Sequence, residues 1–484
     1  MSSDPNRQPK ARIIPIVPSS EPVSNAAAVS GLGARHKIYP RSIAGLFNRW
    51  RWILVWLTQI VFYGLPWLAW NGRQAILFDL EARRFYLFGL VLYPQDLIYL
   101  AALLVIAALA LFLFTAVAGR LWCGYACPQT VYTEIFLWIE KKVEGDRSAR
   151  MRLDQSALSA DKFLRKWLKH LIWIAFALWT GFTFVGYFTP VTVLAGEIAN
   201  WSLGPWEAFW VFFYSLATYG NAGWMREQVC LHMCPYARFQ SAMFDPDTMI
   251  VTYDEARGEP RGARKKTADP AALKLGSCVD CTLCVQVCPT GIDIREGLQY
   301  ECIGCGACID ACDGVMDKMG YARGLIRYST QNGMTGGWNR AQMIRRALRP
   351  RVLVYGGILL AVCAALAASL WLRTPLKVDV LPDRGAIARM VERGRIENVY
   401  RLQVMNATET LQRIEFAVTG LPGITIDSAH SLEVAPTEVH SIVLRVQVPP
   451  GAAPPGSHAV RFQVVSTTDP SIRIEEKSVF LIPR

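Results

Sequence analysis

Eight of the thirteen cysteines fall between Cys278 and Cys312, in two runs of one spacing: Cys278-x2-Cys281-x2-Cys284-x3-Cys288-Pro289 and Cys302-x2-Cys305-x2-Cys308-x3-Cys312. Three thiolates at two-residue spacing can wrap one face of a cuboidal iron–sulfur cluster. The fourth cysteine of each run lies too far along the chain and closes the other run's cluster. The spacing therefore predicts one [4Fe-4S] cluster on Cys278, Cys281, Cys284 and Cys312, and a second on Cys302, Cys305, Cys308 and Cys288. Zinc modules usually set two Cys-x2-Cys pairs a dozen or more residues apart, and a disulfide framework requires an oxidising compartment. Asp313 follows Cys312 where Pro289 follows Cys288, a departure that leaves the ligand count intact.

Four further cysteines make a second pattern. Cys123-x3-Cys127-Pro128 and Cys230-x3-Cys234-Pro235 each place two sulfurs on one helix face, with a proline expected to end or bend that helix. Each pair follows an apolar stretch, so the chain reads as two weakly repeated hairpins. If these pack face to face, four thiolates converge. Such a soft site favours Cu(I), zinc or an iron–sulfur centre, and His232 and Met233 would add copper-compatible ligands. Free cysteines are also common as small buried packing residues, but two matched pairs close to two clusters favour a metal or redox site. Cys363, alone in an apolar segment, reads as packing. Haem is not expected, because none of the six histidines lies in the middle of a predicted span.

These groups need elements to hold them. With 52% hydrophobic residues and sixteen Trp in 484 residues, part of the chain is expected in lipid. Five stretches approach spanning length: Trp52–Trp70, Leu97–Ala118, Leu171–Pro190, Trp206–Gly220 and Val352–Leu372. Phe85–Tyr93 reads as an interfacial segment too short to cross. The formal net charge of +12 comes without a nucleic-acid recognition motif, and the basic residues flank apolar segments. Residues 120–170 carry ten Lys or Arg, five Arg lie from Arg340 to Arg351, and residues 191–204 carry none. The excess of positive charge on cytoplasmic loops then puts the N-terminus and the clusters inside and the C-terminus outside. Arg73, Arg83 and Arg84 run against this scheme.

The expected architecture is a polytopic α-helical membrane protein with five spans, a cytoplasmic two-cluster ferredoxin-like domain and a C-terminal all-β immunoglobulin-like sandwich. In order, residues 1–49 form a mobile cytoplasmic arm whose end lies against the membrane, and residues 50–223 a four-span domain. Residues 224–351 form the cytoplasmic cluster domain, 352–372 the fifth span, and 373–484 a periplasmic sandwich. The basic stretch from Arg257 to Lys266 reads as a flexible tether. Alternating segments such as Val399–Val404, Gln412–Val418, Ser441–Val448, His458–Val465 and Ile474–Leu481 predict strands. His430, His440 and His458 could bind periplasmic copper, although scattered histidines in a β-domain are more often solvated.

Lys37-Ile-Tyr-Pro-Arg41, the stretches around both Cys-x3-Cys-Pro motifs, Val279–Asp293, Tyr300–Cys305, Asp313–Lys318 and the C-terminal domain together resemble the FixG/CcoG/RdxA family of cytochrome oxidase accessory proteins. The resemblance covers nearly the whole chain. It implies a bacterial inner-membrane protein that reduces Cu(II) to Cu(I) for assembly of a copper-haem oxidase, with oxidase assembly factors or a copper transporter as partners and an electron donor that stays unknown. The family's cluster ligands carry over to the eight clustered cysteines, and its membrane cysteines to Cys123, Cys127, Cys230 and Cys234. A quinone-linked electron-transfer subunit and a non-enzymatic assembly scaffold are the alternatives.

Overall fold

The computed structural model describes residues 37–383, 388–428 and 430–483. Its chain divides into two units, one running to Trp67 and resuming at Ala101–Cys363, the other made of Leu68–Leu100 and Ala364 onward.

The first unit is helical. Its leading elements are α1 (Leu46–Gly64), α2 (Leu97–Ala118), α3 (Leu121–Tyr125), α4 (Pro128–Glu144), α5 (Arg147–Gln155), α6 (Ala160–Val185), α7 (Val191–Ala199), α8 (Pro205–Thr218) and α9 (Pro235–Met243). Among the described residues, three helices are long and apolar enough to cross a membrane: Pro94–Ala118, Ala160–Val185 and Pro350–Trp371. The other two expected spans differ from their sequence boundaries. The first begins six residues early and stops at Gly64, where Leu65–Trp67 tightens into a 3-10 turn before a short hairpin. The fourth stops at Thr218, and the chain continues in a π-helical turn, Tyr219–Met225.

Ahead of α1 the chain is fastened rather than mobile. Lys37 Nζ and Tyr39 Oη both donate to Asp154 of α5 at 2.6 Å, and Ser42 donates its N–H and hydroxyl to Asp146. Arg41 N–H donates to Gln286 O in the cysteine-rich region. The strap exists because five polar groups over six residues find buried or half-buried partners there. Residues 1–36 of the expected arm lie outside the described residues. The stretch Arg257–Lys266 is not a free tether either. The Arg264 guanidinium donates to the carbonyls of Gly276 and Cys278, and Arg257 donates to those of Ala322 and Arg323, so these cations serve as cross-links within the cysteine-rich domain.

The second unit is a two-sheet sandwich. One sheet orders the strands Thr425–Ile426, Val439–Val448, Ile396–Asn406 and Leu376–Pro382, with Arg389–Met390 on the side. The other orders Ser431–Val434, Gln412–Thr419, Gly456–Ser466 and Arg473–Ile482. All five predicted strands lie inside these, and the inward residues of both sheets make one core around Tyr400, Leu402, Phe462 and Phe480. Phe85–Tyr93 is part of a small sheet. Ile76–Asp79, Arg84–Leu87 and Leu90–Leu92 form an antiparallel meander, and Leu77, Tyr86, Val91 and Tyr93 pack on Met405 and Ala407 of the sandwich. Tyr93 Oη donates to Asn406 O at 2.8 Å. The anomalous Arg73 belongs to this seam, where it is paired with Glu409 at 2.9 Å and stacked on Tyr86. Its charge is used locally.

Candidate redox centre

The two cysteine runs fold alike. In the first, Asp280 and Thr282 take positive φ (51° and 55°), and in the second Gly304 and Gly306 do so at the same offsets (65° and 73°). Each turn opens a helix, Leu283–Gln286 or Ala307–Met319. Gly306 is needed for a second reason: a Cβ there would meet the ring of Phe47 at 2.9 Å. Asp310 in turn accepts the N–H groups of Phe47 and Asn48, capping the start of α1 on the second run's helix.

Cys278, Cys281, Cys284 and Cys312 line one cavity of about 360 Å³. Cys288, Cys302, Cys305 and Cys308 line a neighbouring one of about 350 Å³, which Cys284 also borders. The fourth cysteine of each run thus lies with the other run's three. Burial pushes the thiols of Cys302 and Cys312 up to about 12, and Arg51 opposes the rise at Cys305. Among the described residues no three His, Cys, Asp or Glu side chains close on a single metal ion, and all thirteen cysteines are free. Four soft donors gathered in each set fit a polynuclear group with its own positive irons, not one ion. Bound there, [4Fe-4S] clusters supply one-electron transfer.

The membrane-edge cysteines lie near enough to influence one another's charge, although no three of them close on a metal ion. Cys123 sits in α3, and Cys127 is the residue before α4, whose first position is Pro128. Cys230 lies in the π-helical turn Val229–Met233, and Cys234 precedes α9, whose first position is Pro235. Each proline starts a helix, where its missing N–H costs nothing, and as expected the preceding helix has ended just before it; Cys127 and Cys234 are extended, so neither pair lies within a single helix. Burial pushes Cys230 up to about 12, with Cys127, Cys123 and Cys234 all adding to the rise. Burial takes Cys123 to about 11, opposed by Gln240, whose Nε2 donates to its sulfur at 3.3 Å. His232 and Met233 are carried on the same turn as Cys230. The periplasmic histidine reading finds no support in the fold: His440 and His458 lie on strands of different sheets, and His458 Nε2 meets Pro454 O.

Three residues that position the site had escaped the reading of the sequence. Gly124, inside the first Cys-x3-Cys, presses on the second cavity's loop so closely that a Cβ would lie 2.8 Å from Cys305 Cα and 2.9 Å from Ile303 O. Cys123 itself packs against the apolar cluster containing Cys305. Buried Arg120 donates to Ala237 O at 2.7 Å and to Tyr300 O, joining α9 and the second run to the end of α2. Arg51, also buried, pairs with Glu134 at 2.5 Å. The second cavity is therefore the one beside the four thiols. Only a glycine between two cysteines hinted at this.

Comparison with known proteins agrees with the geometry. Family models match residues 225–331 as a 4Fe-4S dicluster domain, 100–144 as a 4Fe-4S binding domain, and 366–483 as the IG-like fold at the C-terminal of FixG. The nitrogen fixation protein FixG of Rhizobium meliloti is 39% identical over 469 residues, covering 88% of this chain and 90% of the relative. RdxA of Cereibacter sphaeroides is 39% identical over 432 residues, covering 87% and 91%. A FixG-related protein from Vibrio parahaemolyticus of known crystal structure is 25% identical over 22% of this chain and 95% of its own, with a TM-score of 0.20. Fold and site define a membrane iron–sulfur redox protein carrying an immunoglobulin-like domain. The chain belongs to the FixG/RdxA family.

Proposed function

We propose that this protein is an inner-membrane cupric reductase that prepares Cu(I) for assembly of a copper-haem oxidase, with Cys123, Cys127, Cys230 and Cys234 as the copper-facing site. The eight cysteines of the two runs are its cluster ligands, in the crossed sets that line the two cavities. The observation that carries this reading is the packing of Gly124 against Cys305, which seats the four-thiol site on the second cavity. Cu(II) enters as substrate. Thiolates prefer Cu(I) over Cu(II), so the site draws copper toward its reduced form and retains it until a copper-carrying partner removes it. Two thiolates suffice for Cu(I), so the site need not close around the ion. Gln240 orients Cys123, and Arg120 fixes the loop on which the second cavity rests.

Five spans are the topology this reading favours. Residues 68–100 and 364 onward pack as one unit, which is expected of two connections on the same side of a bilayer. Arg73, once paired with Glu409, no longer opposes a cytoplasmic placement of the basic loops and a periplasmic placement of the sandwich.

A second reading has its own support. The 4Fe-4S family model over residues 100–144 contains only Cys123 and Cys127, so any cluster there would need Cys230 and Cys234 as well. In that case the chain holds three clusters and passes electrons to a protein partner. The double variant Cys230→Ser/Cys234→Ser separates the two readings. Under the first, copper reduction measured with a Cu(I)-specific chelator is abolished while iron content stays at two clusters per chain. Iron falling from three clusters to two would establish the second, and unchanged copper reduction would sink the site assignment.

A further inference from the structure

A recess with about 680 Å³ of empty space opens between the strap, α1 and α4, and no role has yet been given to it. Its floor is formed by Val287, Pro289 and Ala307, each the immediate neighbour of a cysteine of the second cavity, Cys288 or Cys308. Two tryptophans, Trp52 of α1 and Trp138 of α4, line the recess and meet edge to face at 6.3 Å. Its lining carries four cations, of which Arg41 and Lys141 stand exposed at the rim and the other two are engaged inside. Arg51 is paired with Glu134, and buried Arg150 is held by Glu140 and the Pro40 carbonyl. Asp146 is engaged with Ser42 and still offers carboxylate oxygens at the wall.

We infer that this recess binds the headgroup of a membrane quinol, the donor of the electrons. A flat aromatic ring suits the tryptophan pair, and a neutral molecule with two hydroxyls needs acceptors, which Glu134 and Asp146 supply. A phosphate-bearing nucleotide would instead meet the two carboxylates and two engaged guanidinium groups inside, with only Arg41 and Lys141 at the rim to receive its charge. The isoprenoid tail has a path as well. Ile53, Trp56, Leu57 and Ile60 follow Trp52 along α1 and stand exposed, a face suited to lipid and to a hydrocarbon chain. The exposed Arg41 and Lys141 at the rim fit the level of the lipid headgroups.

The stoichiometry balances. A quinol losing two electrons and two protons becomes a quinone, and its two electrons match two Cu(II) ions converted to two Cu(I), with both protons released to water. This redox half rests on the copper-reducing reading above, whereas binding in the recess does not.

Binding is tested without copper. The full-length protein in nanodiscs is irradiated with a short-tailed azidoquinone, and the labelled peptides are identified by mass spectrometry. Label is expected on residues 40–52 and 134–146, displaced by excess decylubiquinol and not by reduced flavin mononucleotide or NADH, and largely lost in Trp138→Leu. Trp138 is half exposed, so this variant is expected to fold, which its unchanged iron content verifies. Label confined to other segments, or displacement by a nucleotide in place of the quinol, would overturn the inference. If label falls in the recess but copper is not reduced, quinol binding stands and the copper reading fails.

Discussion

The sandwich and the cysteine-rich head solve the problem of a stable core in opposite ways. Nineteen buried apolar residues from two sheets form one continuous core in the sandwich, a count that lets apolar packing alone hold the domain, with no disulfide. The head buries nine residues in its main cluster, and Cys278 and Cys284 are two of them. Around these lie the two cavities lined by the cysteines of the two runs. What fills a core in one domain is hydrocarbon, and in the other it is the site of the chemistry. The lesson is that the head's stability and its chemistry draw on the same residues, whereas the sandwich is held by apolar packing alone.

The largest expected effect breaks that contrast directly. Stripping iron with a chelator under anaerobic reduction should cost the head its cooperative thermal transition, because metal binding and folding are one equilibrium in such domains. The transition of the sandwich should stay where it was. Differential scanning calorimetry of the full chain before and after chelation resolves the two, and equal loss of both transitions would refute the separation.

Next in size, the converse. Phe462 is fully buried and meets Tyr400 edge to face at 4.9 Å. Phe462→Ala should destabilise the sandwich by about 3–5 kcal/mol, the usual cost of deleting a buried aromatic ring. The iron content and visible absorption of the head are expected to hold.

A smaller effect probes the link between the head and the four thiols. Gly124→Val places side-chain atoms against Cys305 Cα and Ile303 O, so α3 must shift away at a cost of about 1–3 kcal/mol. Copper reduction should fall severalfold with both clusters still bound. Full activity in this variant would show that the contact does not position the site.

How much of this was legible in the sequence follows the same contrast. Strands such as Ile396–Asn406 are written in an alternating pattern, which is local, and the crossed cysteine sets are written in spacing, which is also local. The position of the four thiols depends on what approaches Gly124, and a glycine does not say what will come close to it. The strand pairing of residues 76–92 was not legible because its hairpin turns through Phe88-Gly89, without the Asn-Gly or Asp-Gly signal of tight hairpins. The strap was missed because the partners of Lys37, Tyr39 and Ser42 lie more than a hundred residues away, at Asp154 and Asp146.

That strap gives the smallest and most pH-specific test. Burial works to raise the Asp154 carboxyl, but hydrogen bonds from Lys166, Lys37 and Tyr39 outweigh it and hold the group well below the ordinary carboxylate range. A carboxylate whose folded value is depressed contributes stability that is present above its unfolded value, about 3.9, and is lost only as pH falls through the folded one. The strap should therefore stay closed at pH 4, where an unperturbed aspartate is already half protonated, and release at lower pH. Hydrogen exchange at residues 37–42, followed by mass spectrometry from pH 6 down to pH 1, reads this release directly. Asp154→Asn removes the charge, so the strap should open at every pH. The loss is expected to be about 1 kcal/mol or less, since the pairs are partly solvated. Protection lost near pH 4 in the unmodified protein would mean that the three donors do not hold Asp154 in solution.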